Sequence, residues 1–114
     1  MLEDIIYDVG VEVVVFAPGF VYKPKRERIM CLDGTSISAQ ANRDAYCTPR
    51  SDYGPYTEVE VGYPSVNPPE DWDEYHDGGG IYAYVPVRLV REFVAIHGGE
   101  MPVPIAWILW EKEQ

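Results

Sequence analysis

Residues 56–63 read YTEVEVGY. Thr57, Val59 and Val61 alternate with Tyr56, Glu58, Glu60 and Gly62, a period of two that marks a half-exposed β-strand. Residues 86–98, PVRLVREFVAIHG, carry the other period. Leu89, Val90, Phe93, Val94 and Ile96 form an apolar stripe at helical spacing. Pro86 suits the first helical turn. His97 falls in the last turn, where it complements the helix dipole, and Gly98-Gly99 supply the stop. Together the two stretches predict an α+β fold: a mostly antiparallel sheet with one main helix, about 86–97, packed on it.

Other segments extend the sheet. Val11–Ala17, VEVVVFA, has the length and β-branched composition of a buried strand. Phe20–Leu32 reads as a second strand ending at Asp33-Gly34, a hairpin turn dipeptide. Thr35–Gln40 returns, with Ile37 and Ala39 on one face and Ser36, Ser38 and Gln40 on the other, expected to be exposed. Asn42–Pro55 reads as a loop, punctuated by Asp44, Pro49, Asp52, Gly54 and Pro55. Pro64–Gly80 is rich in Pro, Gly and acids, a long excursion whose one stretch open to disorder is Glu70–Asp77. Its Gly78-Gly79-Gly80 reads as a flexible linker, because it precedes a strand rather than a helix. Ile81–Val85 is a further strand, Met101–Pro104 a linker and Ile105–Trp110, IAWILW, an apolar closing strand.

At 114 residues the chain is expected to be a single domain, 1–114. Its formal charge of −10 argues against non-specific binding of nucleic acid, which needs a basic face. The basic residues Lys23, Lys25, Arg26 and Arg28 cluster, so a local anion site remains compatible with an acidic whole. The start, Met1-Leu2-Glu3-Asp4, lacks a basic n-region, and no apolar run approaches membrane-spanning length. The reading is a cytosolic chain, not bound to a membrane, with Cys31 and Cys47 as free buried thiols.

No catalytic motif is present: no phosphate loop, no serine elbow, no paired-histidine metal helix. Cys31, Cys47, His76 and His97 do not stand at ligand spacing, so no metal and no cofactor is expected. Glu58 and Glu60 share a strand face about 7 Å apart. Paired carboxylates at that separation suit acid–base chemistry, although the solvent face of an amphipathic strand explains them as well.

The stretch 36–50, SISAQANRDAYCTPR, is the candidate contact surface. Ser36, Ser38 and Gln40 offer hydrogen-bonding groups, and Arg43, Tyr46, Arg50 and Tyr53 add forks and rings. Arg and Tyr suit a nucleotide-like ligand, phosphate on Arg and base on Tyr, and equally a protein interface. A loop that satisfies only its own backbone, with Arg43 and Arg50 paired to Asp44 and Asp52, is the plain alternative. Glu58 and Glu60 are placed beside this surface.

The patterns of 36–50, 54–65 (GPYTEVEVGYPS) and 81–99 (IYAYVPVRLVREFVAIHGG) resemble a group of small accessory proteins of tailed phages and prophages. The group carries no established activity, so the resemblance implies setting rather than chemistry. It implies a phage-encoded protein in the cytoplasm of a bacterial host. Such a protein would bind and block a host component, a protein or a nucleotide-derived signal, of the anti-phage defence among others, and would be a homo-oligomer. A small phosphodiester hydrolase using Glu58 and Glu60 with Arg50 is the alternative, and a minor virion or assembly protein is the second.

Overall fold

The computed structural model describes residues 11, 14, 15 and 28–101. Four strands form one antiparallel sheet in the order β1-β2-β3-β4: β1 Ile29–Met30, β2 Ser36–Gln40, β3 Glu58–Gly62 and β4 Ile81–Pro86. The main helix, Val87–Ile96, follows β4 directly. The expected α+β class is the observed one.

The first hairpin closes where Asp33-Gly34 predicts. Cys31 N–H donates to Thr35 O at 2.8 Å and Gly34 N–H to Cys31 O at 3.0 Å. The pairing sets Ile29 opposite Ile37 and Met30 opposite Ser36. The strand here is shorter than Phe20–Leu32, and residues 20–27 of that reading, with Lys23, Lys25 and Arg26, lie outside the described residues. The linker from Pro102 and the closing strand Ile105–Trp110 lie outside them too.

Ile29, Ile37, Ala39, Val59, Val61 and Val85 are buried, as are Leu89, Val90, Phe93 and Val94 of the helix. Sheet and helix thus share one apolar core, the period-2 side of β3 meeting the helical stripe. Ile96, expected in that stripe, is 69% exposed. The buried positions run 89, 90, 93, 94, so the next slot on that face is 97. His97 occupies it, its ring 4.6 Å from that of Phe93. The helix then ends in a Schellman motif: Gly99 N–H donates to Val94 O and Gly98 N–H to Ala95 O, with Gly98 at φ 95°.

Two expectations are corrected. Val11, Val14 and Val15 are helical and buried, not part of a strand; the rest of Val11–Ala17 lies outside the described residues. β-branched composition is only a weak prior for a strand, and tertiary packing overrides it here. The second correction concerns the acidic excursion. Glu70–Tyr75 is a 3-10 helix whose Trp72 is 1% exposed. Trp72 packs edge-on against Tyr82, centroids 5.6 Å apart, and against Phe93 at 5.4 Å. Trp72, with the half-buried Tyr75 beside it, anchors a run of carboxylates to the core. The three glycines behind it form a turn rather than a linker. All have positive φ, and Ile81 N–H closes the turn on Gly78 O at 3.1 Å.

Candidate binding surface

β2 was expected to expose its polar side. Ser36 and Ser38 are instead buried. Arg28 donates to Ser36 Oγ from Nε at 3.2 Å and Nη2 at 3.0 Å, and Nη2 also reaches Tyr63 O at 2.7 Å. Ser36 N–H donates to Ser65 Oγ, and Ser65 N–H returns to Ser36 O, both at 2.9 Å. Gln40 Nε2 donates to Ser38 Oγ at 3.1 Å. Buried hydroxyls need partners: Arg28 and Ser65 close over Ser36, and Gln40 supplies the partner of Ser38. The half-exposed Gln40 is where this strand reaches solvent. Of the Lys23–Arg28 cluster, Arg28 is described and its guanidinium is committed to Ser36 and Tyr63.

Residues 41–57 fold back over β3, and the two glutamates hold them there. Thr48 Oγ1 donates to Glu58 Oε1 at 2.6 Å. Tyr46 N–H donates to Glu60 Oε1 at 3.1 Å. Carboxylate acceptors make stronger hydrogen bonds than neutral ones, so the pair acts as two clasps on the loop.

Sequence reasoning missed Tyr84. In β4, Val85 pairs with Val59 and Tyr82 with Val61, so Ala83 and Tyr84 together face Glu60. This two-against-one arrangement is a β-bulge. It puts Tyr84 at φ 55°, a left-handed backbone that costs a side-chain-bearing residue about 1–2 kcal/mol. Its N–H leaves the sheet and donates to Tyr46 O at 3.0 Å. The backbone of Tyr46 is therefore held from both sides, by Glu60 and by Tyr84. The two rings lie 6.0 Å apart at 40°, and each residue is 38% exposed. Nothing in the run IYAYV signals a bulge, because a strand with one extra residue has the same composition as a regular one.

Arg50 completes the cluster. Its Nε donates to Arg43 O at 3.2 Å, and its guanidinium carbon lies 5.4 Å from the Tyr46 centroid. Among the described residues no carboxylate pairs with its terminal nitrogens. Arg43 does pair, as the plain alternative had it, but with Asp52: N–H to Oδ1 at 3.1 Å and Nε to Oδ2 at 3.7 Å. Tyr53, next along, is 67% exposed. The structure thus brings together Tyr46, Arg50 and the unforeseen Tyr84, with Arg43 adjoining. It leaves Ser36 and Ser38 beneath other residues.

The thiols are quiet. Cys31 and Cys47 are both free and buried. Burial first, then Asp33 and Glu100, pushes the Cys31 thiol up to about 11. Burial also raises that of Cys47, whose Sγ donates to Asn42 O at 3.1 Å. Neither is a thiolate nucleophile at neutral pH. Among the described residues no three His, Cys, Asp or Glu side chains gather at metal-binding distance. No helix among them is long and apolar enough to cross a membrane.

Fold and surface together define a small α+β domain with a clamped Tyr–Arg–Tyr cluster at a sheet bulge. Compared with models of protein families, with curated proteins and with solved structures, the chain finds no match in any of the three.

Proposed function

We propose that the chain is a non-catalytic binding protein that sequesters or blocks a component of a bacterial host through Tyr46, Arg50 and Tyr84. The supporting observation is the double clamp on Tyr46: its N–H on Glu60, its C=O on the bulged Tyr84. Tyr and Arg side chains carried on a restrained backbone lose less entropy when they bind, and such residues dominate interfaces. Strained backbone at a bulge is costly for a fold and recurs where a side chain must be aimed. The resemblance of 36–50, 54–65 and 81–99 to small phage accessory proteins supplies the setting, the cytoplasm of an infected bacterium. The hydrolase reading has less support, because Glu58 and Glu60 each spend an oxygen holding the loop.

Native mass spectrometry of the protein purified from a bacterium tests the reading. A retained partner or ligand, lost on Tyr46→Ala or Arg50→Ala while the circular dichroism spectrum is kept, is the expected outcome. The same measurement reads the proposed homo-oligomer. Retention by both variants at the wild-type level would move the contact surface elsewhere, and nucleotide turnover abolished by Glu58→Gln would restore the hydrolase.

A further inference from the structure

We infer that the Tyr46–Arg50–Tyr84 cluster takes a nucleoside phosphate, with the base on the tyrosine rings and one phosphate on the Arg50 fork. The inference rests on the binding reading above and adds the ligand class.

Three observations carry it. The first is the state of Arg50. Nε is anchored on Arg43 O and the guanidinium lies over Tyr46, yet its terminal nitrogens meet no carboxylate among the described residues. This is notable in a chain with 19 Asp and Glu against 9 Lys and Arg, where acids to pair with are plentiful. A fixed guanidinium fork matches the geometry of a phosphate.

The second observation is the adjacency of the rings. Base–aromatic stacking uses ring surface that solvent can reach, and two such tyrosines, Tyr46 and Tyr84, stand side by side, each residue 38% exposed. The third is scale. Arg50 to Tyr46 and Tyr46 to Tyr84 are consecutive steps of 5.4 and 6.0 Å. A cluster of that span is far smaller than the face a folded partner covers.

The net charge limits the ligand further. A polyanion would meet repulsion from a chain of charge −10, whereas one phosphate needs only the nearby Arg50, since Arg43 is already paired with Asp52.

The test titrates the full chain by calorimetry with AMP, GMP and UMP, and in parallel with adenosine and with inorganic phosphate. Nucleotides are expected to bind more tightly than either fragment. Arg50→Lys, which keeps the charge and loses the planar fork, should weaken AMP about tenfold and leave adenosine unchanged. Tyr46→Ala should weaken AMP and adenosine alike by about tenfold. No binding of any nucleotide at millimolar concentration, or binding indifferent to both substitutions, overturns the inference. A photocrosslinking amino acid in place of Tyr53, used in the bacterial host, separates the two failures. A crosslinked host protein without nucleotide binding rejects the nucleotide and keeps the surface; neither signal rejects both.

Discussion

Nδ1 of His97 lies 2.6 Å from Oδ2 of Asp33, joining the end of the helix to the tip of the first hairpin. Thr35 Oγ1 is 3.2 Å from the same nitrogen, and Asp33 N–H donates to His97 O at 3.2 Å. The backbone N–H of Thr35, and after it His97, holds the Asp33 carboxyl below its ordinary value. A carboxyl depressed in the folded state stabilises the fold above its unfolded value and ceases to do so as pH falls through the native one. The advantage of wild type over Asp33→Asn in urea denaturation should therefore be full above about pH 5 and close progressively below about pH 4. A gap that stays constant down to about pH 2 would mean that the carboxylate charge plays no part.

Tyr84 offers a separation of folding from binding. At φ 55° a glycine avoids the left-handed penalty and an alanine does not. Tyr84→Gly should be more stable than Tyr84→Ala by about 1 kcal/mol, although glycine is the more flexible residue when unfolded. Both remove the ring and should bind equally poorly. Urea midpoints for the pair check this, and an alanine variant as stable as the glycine one would show that the bulge relaxes once the ring is gone.

What could be read from the sequence depended on whether a single period governed a segment. YTEVEVGY and PVRLVREFVAIHG each carry one dominant period, so the centres of β3 and the helix were legible, with Val59, Val61, Leu89, Val90, Phe93 and Val94 buried. Their ends were not, since Tyr56 is buried while Thr57 and Ile96 are exposed. Val11, Val14 and Val15 belong to a nearly continuous apolar run, in which β-branched composition favours a strand and no period contradicts it, so their helical state was not legible. The serines of β2 were legible as a face but not as a covered one, because Ser36 is closed over by Arg28 from the preceding strand and by Ser65 from beyond β3. The Tyr46–Arg50 half of the site followed from residue types in a loop. Tyr84 did not, since register shifts arise from pairing between strands and leave no mark on either.

Glu60 is the joint between loop and sheet. Glu60→Gln keeps an acceptor for Tyr46 N–H, and Glu60→Ala removes it. Hydrogen exchange at the Tyr46 amide should accelerate in the alanine variant by about tenfold, the equivalent of one modest hydrogen bond, and much less in the glutamine variant. Global stability should fall by about 1 kcal/mol in Glu60→Ala, since the loop is also clasped by Glu58 and Thr48. If the Tyr46 amide exchanges equally in all three proteins, Glu60 does not restrain the loop.

Trp72 is the most deeply buried anchor of the acidic excursion, beside the half-buried Tyr75; the ring of His76 also lies 5.0 Å from that of Tyr82. The surrounding Glu70, Asp71, Asp73 and Glu74 are exposed, so neutralising any one of them should change stability by less than about 0.5 kcal/mol. Trp72→Ala removes an indole that is 1% exposed and touches both Tyr82 and Phe93. The expected loss is about 3–5 kcal/mol, a large fraction of the stability of a domain this size. Trp72→Phe keeps an aromatic body in the slot and should recover more than half of it. The same substitution discriminates between two roles for the 3-10 helix. If it only caps the core, ligand binding by the Tyr46 cluster survives in Trp72→Phe. If binding is lost while the fold is kept, the excursion positions β4, and through it Tyr84, for contact.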